Sequence, residues 1–150
     1  MNTLKTLTLD FLRHDPTNKI WIPYFPDGVQ AGFASPADDW KEVSISFDEE
    51  IFGHSPSTKF CVKVSGHSMK NAGIDDGDIV VVDKRLDAYD NDIAVCAING
   101  EFTLKRLKVE KDCIWLVPEN DDYPPILVNN NEGFEIWGIV IHTLKYHRRK

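Results

Sequence analysis

Cysteine is scarce in this sequence, and the little there is forms no pattern. Cys61, Cys96 and Cys113 are an odd number with no CxxC pair, and each sits in an apolar run. That argues against a disulfide-built secreted scaffold and fits reduced, buried thiols in cytoplasm. Long apolar runs are missing too, since none reaches the roughly 18 residues of a membrane span. Met1 to Leu12 carries Asp10 within its apolar part and has no signal-peptide cleavage pattern. A membrane-anchored or secreted protein is therefore not expected, and cytoplasm is. There is no excess of basic charge: the formal net charge is −7, which argues against a stand-alone nucleic-acid binder but permits contact with a protein that holds DNA. The five histidines form no HExxH-type pattern, so no metal and no other cofactor is expected. Internal repeats and long helical periodicity are also lacking.

What is present is a chain of 150 residues, 42% hydrophobic and 27% charged. That is enough for one domain with a real core plus an arm. Residues 1–40 read as the arm. Leu4, Leu7, Phe11 and Leu12 have weak helical spacing diluted by threonines. Pro16, Pro23, Pro26, Asp27-Gly28 and Pro36 then break any regular element. The aromatics between them suit an extended segment packed over a surface better than a solvated linker. Residues 41–150 read as a mainly β domain. Val43, Ile45 and Phe47 alternate with serines, and Phe60, Val62 and Val64 alternate with Cys61 and Lys63, as half-buried strands do. Ile79 to Val82, Ile93 to Ile98, Glu101 to Val109, Cys113 to Val117 and Phe134 to Leu144 supply further strands. Asn99-Gly100 signals a tight hairpin turn between two of them.

Two stretches carry candidate chemistry. The Phe60–Val64 strand runs into Gly66-His67-Ser68-Met69, where a glycine lets the chain turn sharply. A serine hydroxyl is a poor nucleophile without a base. Successive backbone N–H groups of such a turn, at Ser68 and Met69, can point at a developing oxyanion. Lys105 lies on the returning strand of the hairpin. Period 2 puts Glu101, Thr103, Lys105, Leu107 and Val109 on one face, and Leu107 and Val109 suggest that this face is partly buried. Burial disfavours the ammonium, whose ordinary pKa is about 10.4; a fall to about 7 corresponds to roughly 4–5 kcal/mol. The Thr103 hydroxyl, two residues away on the same face, can orient the amine. Each half alone is a weak signal, because serines follow glycines in many chains and lysines in a basic run are usually solvated. His67 is adjacent to Ser68 and points away on an extended chain, and His54 and His142 have no supporting spacing.

Taken together, these stretches resemble the LexA and UmuD family of self-cleaving serine–lysine proteins. The matching residues are Ser65-Gly66-His67-Ser68-Met69, Gly73-Ile74-Asp75-Asp76-Gly77-Asp78-Ile79, Gly100-Glu101-Phe102-Thr103-Leu104-Lys105-Arg106-Leu107 and Gly138-Ile139-Val140-Ile141-His142. The resemblance implies a strongly curved, antiparallel, mainly β peptidase domain, with Ser68 as nucleophile and Lys105 as general base. It also implies a scissile bond between a small residue and glycine, which Val29-Gln30-Ala31-Gly32-Phe33 offers at Ala31-Gly32. Only 31 residues precede Gly32, broken by prolines and formally neutral, and they do not read as a DNA-binding domain. The chain is therefore closer to the UmuD branch than to the LexA branch, and sequence-specific DNA binding is not expected.

That branch implies a homodimer whose self-cleavage is promoted by the RecA filament on single-stranded DNA during the SOS response. The shortened form, here residues 32–150, then joins a UmuC-like Y-family polymerase for translesion synthesis. Two other readings stand beside it. One is a non-enzymatic dimeric interaction module that kept the fold. The other is a peptidase acting on other proteins, which the lack of a membrane anchor disfavours.

Overall fold

The computed structural model describes residues 10–12, 21–24, 43–53, 55–128 and 133–148. The strands, in chain order, are β1 (Asp10–Leu12), β2 (Trp21–Tyr24), β3 (Val43–Ser46), β4 (Lys59–Lys63) and β5 (Ile79–Asp83). They continue with β6 (Ile93–Ile98), β7 (Glu101–Val109), β8 (Ile114–Val117), β9 (Ile126–Val128) and β10 (Phe134–Leu144). Among the described residues the helical elements are a π-turn at Asp48–Phe52 and short 3-10 turns at Pro56–Thr58 and Lys70–Ala72. The mainly β, antiparallel class read from the sequence is borne out.

The described chain divides into two compact units, one of β2, β3 and the π-turn, the other of β1 and everything from Ser57 on. In the smaller unit β2 pairs antiparallel with β3, Trp21 opposite Ser46 and Tyr24 opposite Val43. This corrects the expectation that prolines keep residues 1–40 free of regular structure. Pro23 lies inside β2, opposite Ser44; a two-stranded ribbon gives each strand an outer edge, where a residue without an N–H is tolerated. Phe11 and Leu12, read as weakly helical, lie in β1, paired with Val62 and Cys61 of β4.

The larger unit is an eight-stranded open sheet in the order β1-β4-β5-β10-β6-β7-β8-β9, antiparallel at every pair. Its central strands bury both faces, so alternate residues feed different cores. On one side Val62, Val64, Met69, Val80, Val82, Val95 and Leu104 cluster. On the other lie Ala94, Cys96, Leu107, Leu116, Val128 and Ile139. Each fully buried valine or leucine contributes about 1.5–3 kcal/mol. Asn99 and Gly100, at φ 50° and 81°, form the two-residue turn between β6 and β7, as Asn-Gly predicts. β9, which follows Pro124-Pro125, has no counterpart in the sequence reading. Val109 is exposed, contrary to the expected burial of its face, because the strand outruns the core beyond Leu107.

β10 crosses the middle of the sheet with a register shift between Ile136 and Gly138. A Cβ at Gly138 would lie 2.6 Å from Val82 Cγ1 and 3.0 Å from the Asp83 carbonyl oxygen. Val82 is fully buried, so neither atom has room to withdraw. Gly138→Ala is expected to destabilise by about 1–3 kcal/mol through overpacking, seen as a lower urea midpoint at unchanged slope; an unchanged midpoint would mean that β10 slides freely over β5.

Candidate active site

The turn after β4 is built before it carries any chemistry. The Val64 N–H donates to the Asp78 carbonyl and the Gly77 N–H to the Val64 carbonyl, both at 2.8 Å. Gly66 adopts φ 97°, a conformation open mainly to glycine, and its N–H donates to Asp76 Oδ1 at 2.7 Å. Met69 then enters the core at 1% exposure, its carbonyl accepting from the Ala72 and Ile74 N–H groups. With Met69 fixed, its neighbour Ser68 is held beside it, itself buried at 7% exposure.

Lys105 comes from the middle of β7, opposite Ala94 of β6. It too is 7% exposed. Its Nζ donates to Thr103 Oγ1 at 2.8 Å, to the Leu104 carbonyl at 3.0 Å and to Ser68 Oγ at 3.3 Å. The structure thus brings together two residues 37 apart in the chain. The three acceptors match the three N–H bonds of an ammonium. As a neutral amine, Lys105 keeps two donors for Thr103 and Leu104, and its lone pair faces the Ser68 hydroxyl.

Burial pushes the Lys105 pKa down from its ordinary 10.5 to about 8. The neighbouring Cys96 thiol is pushed up to about 12, again by burial. It therefore stays neutral while Lys105 titrates and supplies no anion to hold the ammonium.

Ser68 and Lys105 open onto a cleft of about 820 Å³, walled by Ile98, Phe102, Thr103, Tyr123, Pro124 and Ile126 and by Ser65 to His67. The Ser68 and Met69 amides have no acceptor among the described residues. His67 is exposed, and no hydrogen bond joins its side chain to Ser68 among the described residues. His142 is exposed on β10. His54, Ala31 and Gly32 lie outside the described residues. The three cysteines are free thiols, Cys61 and Cys96 buried and Cys113 half-buried. No group of three metal-ligating side chains occurs among the described residues, and no helix there is long and apolar enough to cross a membrane.

Sequence reasoning did not single out the 118–122 loop. Asn120, 4% exposed, donates from Nδ2 to the His67 carbonyl at 2.8 Å. Glu119 pairs with Arg106, the residue after Lys105. The available signal was Pro118-Glu119-Asn120 directly after a strand, which reads as an ordinary turn.

A buried lysine against a serine, on an open antiparallel sheet, defines a candidate serine–lysine hydrolase site. The family profile described as Peptidase S24-like matches residues 23–141, and the chain belongs to that family. It is 40% identical to Protein MucA of Salmonella typhimurium over 128 residues, covering 84% of this chain and 86% of that one. Protein MucA of Escherichia coli matches equally. The LexA repressor of Acidithiobacillus ferrooxidans is 38% identical over 120 residues, 78% of this chain and 58% of the repressor. The resemblance to the LexA and UmuD family read in the sequence is borne out.

Proposed function

We propose that the protein is a self-cleaving peptidase in which Ser68 is the nucleophile, Lys105 the general base and Ala31-Gly32 the scissile bond. The observation that carries this reading is the 3.3 Å approach of Lys105 Nζ to Ser68 Oγ, with Lys105 buried enough to lose its proton near neutrality. Neutral Lys105 takes the hydroxyl proton as Ser68 Oγ attacks the Ala31 carbonyl carbon. The oxyanion is met by the Ser68 and Met69 N–H groups. As the intermediate collapses, the Ala31–Gly32 C–N bond breaks and the Lys105 ammonium returns its proton to the Gly32 nitrogen. The Ser68 ester of Ala31 remains. Water, deprotonated by the again neutral Lys105, then hydrolyses that ester. A small residue and a glycine at the cut let the substrate backbone approach the serine closely.

In this reading residues 1–40 are the arm and 41–150 the peptidase and dimerisation domain. The protein is a cytoplasmic homodimer of the DNA-damage response, and substrate and site share one chain or dimer, which gives a high effective concentration. The RecA filament favours the cleavable arrangement, and the 32–150 product joins a UmuC-like polymerase. Support comes from the family and from the extent of the match to Protein MucA.

Intact mass of the purified protein after incubation at rising pH, with and without RecA filament, tests the reading. A fragment beginning at Gly32 is expected, and Ser68→Ala is expected to remain whole. Full-length protein under every condition, or an equal fragment from Ser68→Ala, would overturn it.

A further inference from the structure

The loop after β8 reaches both halves of the candidate site. Asn120 Nδ2 donates to the His67 carbonyl, on the N-terminal side of Ser68, across 53 residues of sequence. The Glu119 carbonyl accepts from the Asn71 N–H at 2.8 Å, on the C-terminal side of Ser68. One dipeptide thus brackets the nucleophile. The Glu119 side chain, meanwhile, pairs with Arg106 Nε, next to Lys105 on β7, and Arg106 Nη1 donates to the Asn91 carbonyl at 2.7 Å. Asn120 is itself fixed, because its Oδ1 accepts from the Asp122 N–H at 3.0 Å and its side chain is buried. A buried amide satisfied on both its oxygen and its nitrogen has little freedom to move.

We propose that Asn120 is a positioning residue which, with Glu119, aims Ser68 at Lys105 by tying the serine turn to the strand that carries the base. This inference rests on the serine–lysine reading above. The 3.3 Å gap between Nζ and Oγ is at the outer limit of a hydrogen bond, so a small movement of the turn breaks it. Lys105 is held independently by Thr103 and Leu104 of its own strand. Loss of Asn120 therefore displaces the nucleophile and leaves the base where it is.

The test is the first-order self-cleavage rate of the full chain across pH, for Asn120→Ala and Asn120→Ser against the parent, well below the thermal midpoint of each. Asn120→Ser is neutral and keeps an acceptor near the Asp122 N–H but is too short to donate to the His67 carbonyl, so it serves if the alanine variant fails to fold. Both are expected to lower the high-pH plateau about 100-fold, the scale of a 1 Å misplacement, at an unchanged pH midpoint. The titratable groups around Lys105 and its cleft are Cys96 on β6, His67 on the turn, Glu101 on β7 and Tyr123 after the 118–122 loop, and all four stay in both variants. A plateau within threefold of the parent would overturn the proposal. So would a midpoint rising towards that of an ordinary lysine, because the loop would then act by keeping Lys105 dry. Cleavage surviving in Ser68→Ala would bring down the serine–lysine reading itself; cleavage lost in Ser68→Ala but intact in both Asn120 variants would bring down this inference alone.

Discussion

Self-cleavage is expected to speed up about tenfold per pH unit up to about pH 8 and then to level off. The midpoint follows from Lys105, which burial holds at about 8. At pH 7 about one Lys105 in ten is then an amine, against about one in three thousand for a lysine left at 10.5. The burial that disfavours the ammonium therefore raises the concentration of neutral amine at Lys105 about three-hundredfold. Lys105→Ala is expected to slow cleavage by about 10²–10⁴-fold. Lys105→Arg is expected to be as slow, because a guanidinium keeps its proton throughout. Rate constants from intact mass between pH 6 and 10 decide the matter. A flat profile, or wild-type rates in Lys105→Ala, would rule out a lysine base.

The same burial should be visible in stability. The folded-state pKa of Lys105 lies below its unfolded value, so between about pH 8 and 10.5 the unfolded chain holds a proton that the folded chain has released. Unfolding free energy therefore rises with pH across that window. Below it the cost of the dry lysine is fully present, about 3 kcal/mol for the shift; above it the cost is gone. Ser68→Ala keeps the chain whole for the measurement. Other groups also titrate there, so the readout is the difference between Ser68→Ala and Ser68→Ala/Lys105→Met in urea unfolding. Methionine fills similar volume without charge, and its advantage at pH 7 is expected to shrink by about 3 kcal/mol by pH 11. Parallel curves would show that Lys105 is no drier when folded than when unfolded.

Both results turn on residues that the sequence displays openly. Asn99-Gly100 fixed the β6–β7 hairpin because two successive positive φ values suit few other pairs. Once the hairpin is placed, period 2 puts Thr103 beside Lys105, and their side chains meet at 2.8 Å. Ser68 was legible from glycine behind it and family pattern around it. Three features were hidden. β1 and β2 are strands because β4 and β3 accept them, and pairing with a distant partner overrides what local composition suggests. β9 is three residues long, too short for any periodicity to register. Asn120 sits in a polar loop, and only the fold reveals that its side chain is buried against the serine turn.

The position of β10 carries a consequence for how the protein comes into being. It is the last described strand in the sequence, yet it lies between β5 and β6. The serine arrives with the β4–β5 half and the lysine with the β6–β7 half, and β10 is the seam between them. On the ribosome, Ser68 and Lys105 both emerge well before the strand that joins their halves. On the serine–lysine reading proposed above, the candidate site is therefore joined only once β10 has been made, and a nascent chain still lacking that strand is expected to stay uncut.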